Sequence, residues 1–360
     1  MTDADTLRER FREIDDPLNG EDIVTMDLVD EISVREGVAH ITLAFNTPFA
    51  AAEIDIGEQI RAIVEDVGLD PHVEAAVGTE HGFDEEVLPD VRNVIAVASG
   101  KGGVGKTTVA ANLAAGLAKL GATVGVLDAD IHGPNVPRAF NVSEEPGVDP
   151  VTDSLVPPEA HGVKVMSMAF MLADPDDPAI MRGPIVQKVM THFLENVNWG
   201  QLDYLIVDLP PGTGDASLDL LQTLPVAGTV IVTTPQRMAL DDARKGIRLF
   251  EKHDAPIVGI VENMSTFQCP HCGESHDLYG GRGAVEICED FGVPHLGSIP
   301  THPDFGTEGA PGPVVQMEDS PVQESTMRIV TTALDTLGAL NRQRVANPSA
   351  LPEVSVDVTS

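Results

Sequence analysis

A glycine-rich run, GKGGVGKT at residues 100–107, constrains the fold more than any other feature of the sequence. The apolar run 94–98 precedes it, and a helical pattern that extends to Lys119 follows it. Glycines in such a turn let successive backbone amides point at phosphate oxygens, and the start of the helix adds partial positive charge. The run therefore predicts a strand, a phosphate-binding loop and a helix. The predicted nucleotide-binding residues of this loop are Gly100, Lys101, Gly102, Gly103, Val104, Gly105, Lys106, Thr107 and Thr108.

Two side chains of this loop have specific expected roles toward ATP and Mg²⁺. The Lys106 ammonium reaches the β and γ phosphates in such loops, which makes it a predicted catalytic residue. The Thr107 hydroxyl is a predicted Mg²⁺ ligand. Both assignments depend on the strand before the loop and the helix after it.

Aspartates follow two further apolar runs. Asp128 and Asp130 come after the run 124–127, and Asp208 follows the run 204–207. A carboxylate at the carboxyl end of a sheet strand faces the ligand crevice. Asp208 and Asp130 are therefore predicted Mg²⁺-binding residues, and Asp130 is also predicted to orient the attacking water as a catalytic residue. The competing interpretation is that each aspartate only caps a helix or a turn.

Apolar runs alternate with helical patterns from Asn93 onward, as buried parallel strands and crossover helices do. The predicted strands lie at 94–98, 124–127, 204–207, 230–233, 257–261 and 295–299, and the predicted helices at 106–119 and 239–252. The fold class that follows is α/β: a P-loop nucleoside triphosphatase whose mostly parallel sheet is flanked by helices.

The first 80 residues are predicted to form a small α+β domain ahead of that sheet. Helical patterns at 7–14 and 54–67 surround two alternating runs that a break at 35–37 joins as a hairpin, and a short strand follows near 73–77. The predicted boundaries are an α+β domain at 1–80, a polar linker at 81–91, a nucleotide-binding domain at 92–345 and a flexible tail at 346–360.

The charge of the chain bears on its partners and its location. Asp and Glu number 57 and Lys and Arg 22, so the formal net charge is −35. Nucleic acid and anionic membranes repel such a surface, and we expect neither as a partner. No apolar run is long enough to span a bilayer, and residues 1–12 are too charged for a signal peptide. The sequence therefore predicts a cytoplasmic protein.

The same charge predicts a halophilic protein, because salt screens the repulsion between its carboxylates. When salt is removed by dialysis, we expect the far-ultraviolet ellipticity to fall as self-repulsion opens the fold. Circular dichroism spectra at high and low salt test this expectation. A spectrum unchanged in low salt would show that the acidic surface only confers solubility.

The cysteines indicate metal or redox chemistry. Three cysteines in a long chain without a secretion signal do not suggest a disulfide framework. Cys269 and Cys272 form a Cys-x-x-Cys pair, which supplies half of a four-thiolate site. A zinc site in one chain would recruit His276 and Cys288, whereas a symmetric dimer would pool two pairs around zinc or an iron–sulfur cluster. A redox disulfide is the third interpretation, although the pair lacks the helix start that lowers a thiol pKa.

The second residue of the glycine-rich run is similar to a residue that defines a known group of ATPases. Lys101 resembles the signature lysine of the deviant Walker A ATPases, which include MinD, ParA, the arsenite-pump ATPase and the nitrogenase iron protein. The resemblance implies that Lys101 crosses a homodimer interface to the partner's phosphates. A cation that arrives in this way stabilises the transferring phosphoryl group only when the dimer closes, so Lys101 is a predicted catalytic residue.

Several motifs in order extend the resemblance over residues 90–340. GKGGVGKTT, DADIHGPNVP, DLPPGTGD, GIVENMSTFQCPHCG and the downstream GRG and LGSIP segments together resemble the Mrp/ApbC family of iron–sulfur cluster carrier ATPases. This family implies a homodimer that hydrolyses ATP and transfers a cluster to apo iron–sulfur proteins. It also implies that Cys269 and Cys272 hold a [4Fe–4S] cluster that bridges the two subunits.

The family also implies roles for three polar side chains. Asp130 and Asn135 match positions of a nucleotide-dependent switch, and Asn263 matches an asparagine that contacts the base. Cys288 has no role in the family, and a free cysteine is most often a small buried apolar residue.

The N-terminal residues resemble the small domain that many Mrp proteins share with iron–sulfur assembly factors. Those domains often carry a cysteine shortly after the last hairpin strand, where this chain has FNTPFA at residues 45–50. Thiol chemistry is therefore not expected in this domain, which leaves client docking or a scaffold role.

A positioning ATPase similar to MinD or ParA is the alternative from a different class. It would require a basic amphipathic C-terminal helix or a basic patch. The last residues, PSALPEVSVDVTS, provide neither. A further alternative is a dimeric ATPase in which the thiols are structural zinc ligands. Metal analysis of protein purified without air shows whether zinc or iron is bound.

Overall fold

A computed structural model describes residues 4–75, 87–130, 133–171, 183–269, 271–306 and 312–348. The helices are α1 (Ala4–Phe11), α2 (Ala51–Asp66), α3 (Lys106–Leu120), α4 (Val136–Ala139), α5 (Gly183–Asn196), α6 (Asp215–Thr223), α7 (Arg237–Lys252), α8 (Ala284–Phe291) and α9 (Gln323–Ala346). The strands are β1 (Val29–Arg35), β2 (Val38–Leu43), β3 (Asp70–Ala75), β4 (Val91–Ser99), β5 (Val124–Asp128), β6 (Gly147–Val148), β7 (Leu155–Val156), β8 (Glu159–Ala160), β9 (Val163–Ser167), β10 (Leu202–Asp208), β11 (Val226–Thr233), β12 (Ile257–Gln268), β13 (Ser275–His276) and β14 (His295–Thr301).

The central sheet has the order β13-β12-β11-β4-β10-β5-β9-β8, and β14 also pairs with β12. The strands from β9 through β5, β10, β4 and β11 to β12 are parallel, as is β14, while β8 and β13 are antiparallel additions. This arrangement confirms the predicted α/β class. The carboxyl ends of the parallel strands meet at one edge of the sheet, where ligands bind in such folds.

Alternate residues of β4 show how the sheet is covered. Ile95 and Val97 belong to a core that α3 and α9 complete, whereas Val94, Ala96 and Ala98 belong to a core built with α5 to α8. Because neighbouring strand residues point to opposite faces, the sheet lies between two helical layers. Burial on both faces explains why these strands read as continuous apolar runs.

The structure adds several elements to those predicted from the sequence, among them α5, α6, α8, strand β9 and helix α9. Strand β9 was missed because Lys164 interrupts its apolar pattern; in the fold the Lys164 ammonium donates to the Trp199 carbonyl at 2.5 Å. Helix α9 was missed although Leu334, Leu337 and Leu340 are buried against the sheet. Strand β12 also continues to Gln268, well beyond the predicted end at residue 261.

The N-terminal residues fold as a three-stranded sheet, β1-β2-β3, with α1 and α2 packed on it. The predicted hairpin turn is confirmed: Glu36 and Gly37, with φ values of 52° and 86°, connect β1 to β2. Positive φ at both positions matches the right-handed twist of the two strands. Most of the predicted linker at 81–91 and of the predicted tail at 346–360 lies outside the described residues.

Helix α9 joins the two sheets. Arg342 on α9 is fully buried, and its guanidinium pairs with Asp16 and with Glu53 from the N-terminal unit. Asn341 donates to Thr47 Oγ1 at 2.8 Å and to Asn93 Oδ1 at 2.9 Å. A C-terminal helix of the nucleotide-binding unit therefore anchors the N-terminal unit. None of the helices within the described part of the chain combines the length and apolar character needed to cross a membrane.

Candidate functional site

The glycine-rich loop lies at the carboxyl end of β4 and leads into α3. Gly103 and Gly105 have φ values of 80° and 83°, which a side chain disfavours. A Cβ atom at residue 105 would lie 2.0 Å from Nδ2 of Asn263, and one at residue 100 would lie 2.4 Å from the carbonyl carbon of Asp242. Close packing and positive φ together explain the glycines. The loop is thereby free to turn its amides toward an anion at the start of α3.

Asp208 at the end of β10 connects to both polar side chains of the loop. Its carboxylate accepts from Lys106 Nζ at 2.5 Å and from Thr107 Oγ1 at 2.6 Å. Lys106 and Asp208 are 5% and 0% exposed, so this is a buried ion pair. Burial raises the pKa of Asp208, and the ammonium and hydroxyl oppose the rise. The three side chains predicted to hold phosphate and Mg²⁺ therefore lie together.

The neighbouring strand end brings two more carboxylates to the same place. Asp128 is the register partner of Asp208 across β5 and β10. Burial, together with the charge of Asp208, raises the pKa of Asp128 to about 7. Asp130 is 8% exposed, and its charge contributes to the raised pKa of Asp208. Three acids around one ammonium leave an excess of negative charge that a bound cation would neutralise.

Asp128 also binds the start of α4, although the N-cap residue of that helix is Asn135. Its Oδ2 accepts from the backbone amide of Val136, the first residue of α4, at 3.0 Å, and from Ser167 Oγ at 3.0 Å. The Asp130 amide donates to Oδ1 of the same carboxylate at 3.2 Å. Asp128 thus holds the segment that positions Asp130.

Lys101 contacts a residue outside the buried pair. Its ammonium lies 3.4 Å from Gln236 Oε1, and Gln236 Nε2 donates to the Tyr279 hydroxyl at 3.0 Å. Sequence reasoning did not single out Gln236 or Tyr279, because nothing local marks either residue. Gln236 therefore links Lys101 to Tyr279, which follows the cysteine pair in the sequence.

Asn263 on β12 braces the loop. Its amide donates to the Val104 carbonyl at 2.9 Å, and its side chain is 5% exposed. A cavity of about 410 Å³ is lined in part by the first turns of α3. Its polar lining includes Thr107, Thr108, Asn135, Arg138 and Asp304. Asn263 is not part of that lining, and sequence reasoning missed Arg138 and Asp304, which only the fold brings to α3.

The Cys-x-x-Cys pair lies at the tip of a hairpin formed by β12 and β13. The Cys269 amide donates to the Glu274 carbonyl and the Gly273 amide to the Cys269 carbonyl, both at 2.8 Å. Backbone amides of Cys272 and His271, with the Cys272 side chain, lower the pKa of the Cys269 thiol. Cys272 is exposed. Amide donors of this kind stabilise the thiolate that metal binding requires.

Cys288 has a different environment. It lies in α8, is 1% exposed and belongs to the core between α7, α8 and the sheet. Burial, reinforced by Glu262, raises its pKa to about 12. The expectation of a buried apolar cysteine is confirmed, and this thiol is not grouped with the hairpin ligands among the described residues.

Comparisons with known proteins agree with the geometry. Residues 90–334 match the family described as NUBPL iron-transfer P-loop NTPase, and residues 4–77 match the iron-sulfur cluster assembly protein family. The iron-sulfur cluster carrier protein of Synechocystis sp. is 40% identical over 339 residues, which are 91% of this chain and 96% of that protein. The protein of the same name from Pseudomonas fragi is 51% identical over 216 residues, or 59% of this chain and 74% of its own length.

A solved structure supports the fold. The nucleotide-binding protein of Archaeoglobus fulgidus, in complex with ADP and with cobalt found in it, has 39% identity and a TM-score of 0.55. The match covers 63% of this chain and 89% of that one. The resemblance inferred from the motifs is thereby confirmed, and the chain belongs to the family of NUBPL iron-transfer P-loop NTPases.

Proposed function

We propose that this chain is an ATP-hydrolysing carrier that holds an iron–sulfur cluster on Cys269 and Cys272 and transfers it to apo iron–sulfur proteins in the cytoplasm. One observation carries the proposal. Strand β12 contacts the phosphate-binding loop through Asn263 and ends at Gln268, directly before Cys269, so one strand connects the nucleotide site to the first thiol. A change in the loop therefore has a short route to the cargo.

The nucleotide side of the proposal uses the residues around the start of α3. The loop amides and Lys106 would bind the phosphates, and Asp130 would orient water. A hydroxyl and a carboxylate from Thr107 and Asp208 form the hard oxygen donor set that Mg²⁺ prefers. When bound, Mg²⁺ neutralises charge on the phosphates. The ADP bound by the Archaeoglobus fulgidus relative supports a nucleotide here.

The proposed role of Asn263 differs from the contact with the base that the family resemblance implies. Its amide fixes the Val104 carbonyl, so we propose that it positions the loop amides. The cavity beside Thr108 and Asn135 is the proposed place for the nucleoside, because it opens directly from the phosphate-binding residues.

The cargo side of the proposal requires two copies. One chain offers two hairpin thiols, whereas a [4Fe–4S] cluster is held by four. Exposure of Cys272 at a hairpin tip allows a second chain to approach. The homodimer would also bring each Lys101 to the partner's phosphates. The names of the Synechocystis and Pseudomonas relatives support the carrier role.

Anaerobic reconstitution tests the cargo assignment. With ferric iron, sulfide and a dithiol that reduces part of the iron, we expect about four irons per dimer and a broad thiolate-to-iron absorption band. The double variant Cys269→Ser, Cys272→Ser should lose both signals, because serine does not replace a thiolate in such a cluster. The matched control Cys288→Ala should keep them. A double variant that retains the same cluster would contradict the assignment.

A further inference from the structure

The cysteine hairpin carries more metal-binding groups than the two thiols. Cys272, Glu274 and His276 each offer a ligand atom, and the three atoms lie within 4.8 Å of one another. His276 lies in β13 and Glu274 lies directly before that strand, so the returning side of the hairpin supplies both groups. All three side chains are exposed and have room to close on an ion.

The Cys272 thiol already faces one of these groups. The Cys272 thiol donates a hydrogen bond to Glu274 Oε2, and the sulfur–oxygen distance is 3.9 Å. Ligand atoms around a tetrahedral zinc ion are roughly 3.5 Å apart, given metal–ligand bonds of about 2.0 to 2.3 Å. A small side-chain rotation therefore converts the cluster into a coordination sphere. The pairing of His276 with Phe267 across the hairpin fixes the backbone that supports it.

We propose that a single chain binds one divalent transition-metal ion, of the Zn²⁺, Co²⁺ or Fe²⁺ class, through Cys272, Glu274 and His276. One thiolate, one carboxylate and one imidazole suit such ions, and three protein ligands leave a fourth position open next to Cys269. The inference goes beyond the proposed cargo site, because it concerns one ion on one chain and two ligands that are not thiols.

This site shares Cys272 with the proposed cluster. An ion bound here keeps that thiolate occupied, so a cluster can load only after Glu274 and His276 release the ion. The single-chain zinc site that the sequence left open as one alternative would add His276 and Cys288 to the two hairpin thiols. The proposed site keeps Cys272 and His276 and uses Glu274, while Cys288 is buried in α8.

Titration of the full-length apo protein with Co²⁺ under anaerobic conditions tests the proposal. The buffer contains excess Mg²⁺, because a hard cation occupies the exposed carboxylates of a chain with net charge −35 without competing for thiolate and imidazole. We expect one Co²⁺ per chain, intense tetrahedral d–d bands, and no change of mass in size-exclusion chromatography.

Matched variants assign the ligands. His276→Gln and Glu274→Gln should each weaken Co²⁺ binding at least about tenfold, whereas His271→Gln, an exposed histidine of the same hairpin, should bind as the wild type does. Unchanged binding by both ligand variants, an equal loss in the His271 control, or one Co²⁺ per two chains would overturn the proposal.

Cluster reconstitution separates this inference from the carrier function. His276→Gln should still form the cluster, because the thiols are intact, and Zn²⁺ should delay reconstitution less in this variant than in the wild type. Equal inhibition by Zn²⁺ in both proteins would refute the shared use of Cys272. Loss of cluster formation in wild type with normal Co²⁺ binding would refute only the carrier function.

Discussion

Replacing Lys101 with alanine is expected to lower ATP turnover by about 10³-fold, the lower end of the effect of a charge supplied in trans. The Lys101 ammonium contacts Gln236 and not the buried pair of Lys106 and Asp208, so its removal leaves that pair intact. Nucleotide affinity and thermal stability should stay close to wild type. Steady-state hydrolysis at saturating ATP measures the effect, and Lys252→Ala, an exposed lysine at the end of α7, is the control.

A mixing experiment decides whether Lys101 acts across a dimer. Thr107→Ala removes the proposed Mg²⁺ ligand but keeps Lys101. In a mixed dimer, the Lys101→Ala chain supplies an intact site and the Thr107→Ala chain supplies the lysine. The mixture should therefore exceed the summed activity of the separate variants. Strictly additive activity would mean that Lys101 acts within its own chain or has no catalytic role.

Replacing Arg342 with methionine is expected to reduce the free energy of unfolding by about 3–5 kcal/mol, because it leaves buried carboxylates without their partner. Arg342 and Asp16 are both 0% exposed. Denaturant unfolding at constant salt measures the loss. Arg328→Met removes an arginine of the same helix whose ion pair is exposed, and it should cost about 0–1 kcal/mol.

The pH dependence of the stability difference tests whether the unpaired Asp16 carboxylate causes the loss of stability in Arg342→Met. Burial opposes ionisation of Asp16, but Arg342 and the amides of Asn19 and Leu18 outweigh burial and lower its pKa. Stability from a lowered carboxyl pKa is present at neutral pH and is lost as the pH falls through the folded-state value. The difference between wild type and Arg342→Met should therefore shrink below about pH 4.

Adding Asp16→Asn to Arg342→Met should recover part of the lost stability, since the unpaired charge is then absent. Glu53 is the weaker choice for this test because burial raises its pKa to about 7, so it is partly neutral already. If the double variant is as unstable as Arg342→Met alone, lost packing of the guanidinium is the cause instead.

Local sequence patterns were sufficient to predict much of the fold. The strand, glycine loop and helix around Lys106 depend on neighbouring residues alone, since positive φ and a helix start are short-range requirements. Buried parallel strands such as β10 and β11 were predictable because both faces are apolar. Strand β9 was not, because the partner of Lys164 is a carbonyl at Trp199 that no local pattern indicates.

Short segments were enough to predict the phosphate-binding loop, the hairpin turn at Glu36 and Gly37, and the Cys-x-x-Cys pair, because each depends only on neighbouring residues. The tertiary structure, in contrast, sets which groups meet. It placed Lys106 against Asp208, grouped Glu274 and His276 with Cys272, and paired Arg342 with Asp16 from 326 residues away. Desolvation of distant charges and the register of strands are properties of the whole fold, and no segment contains them alone.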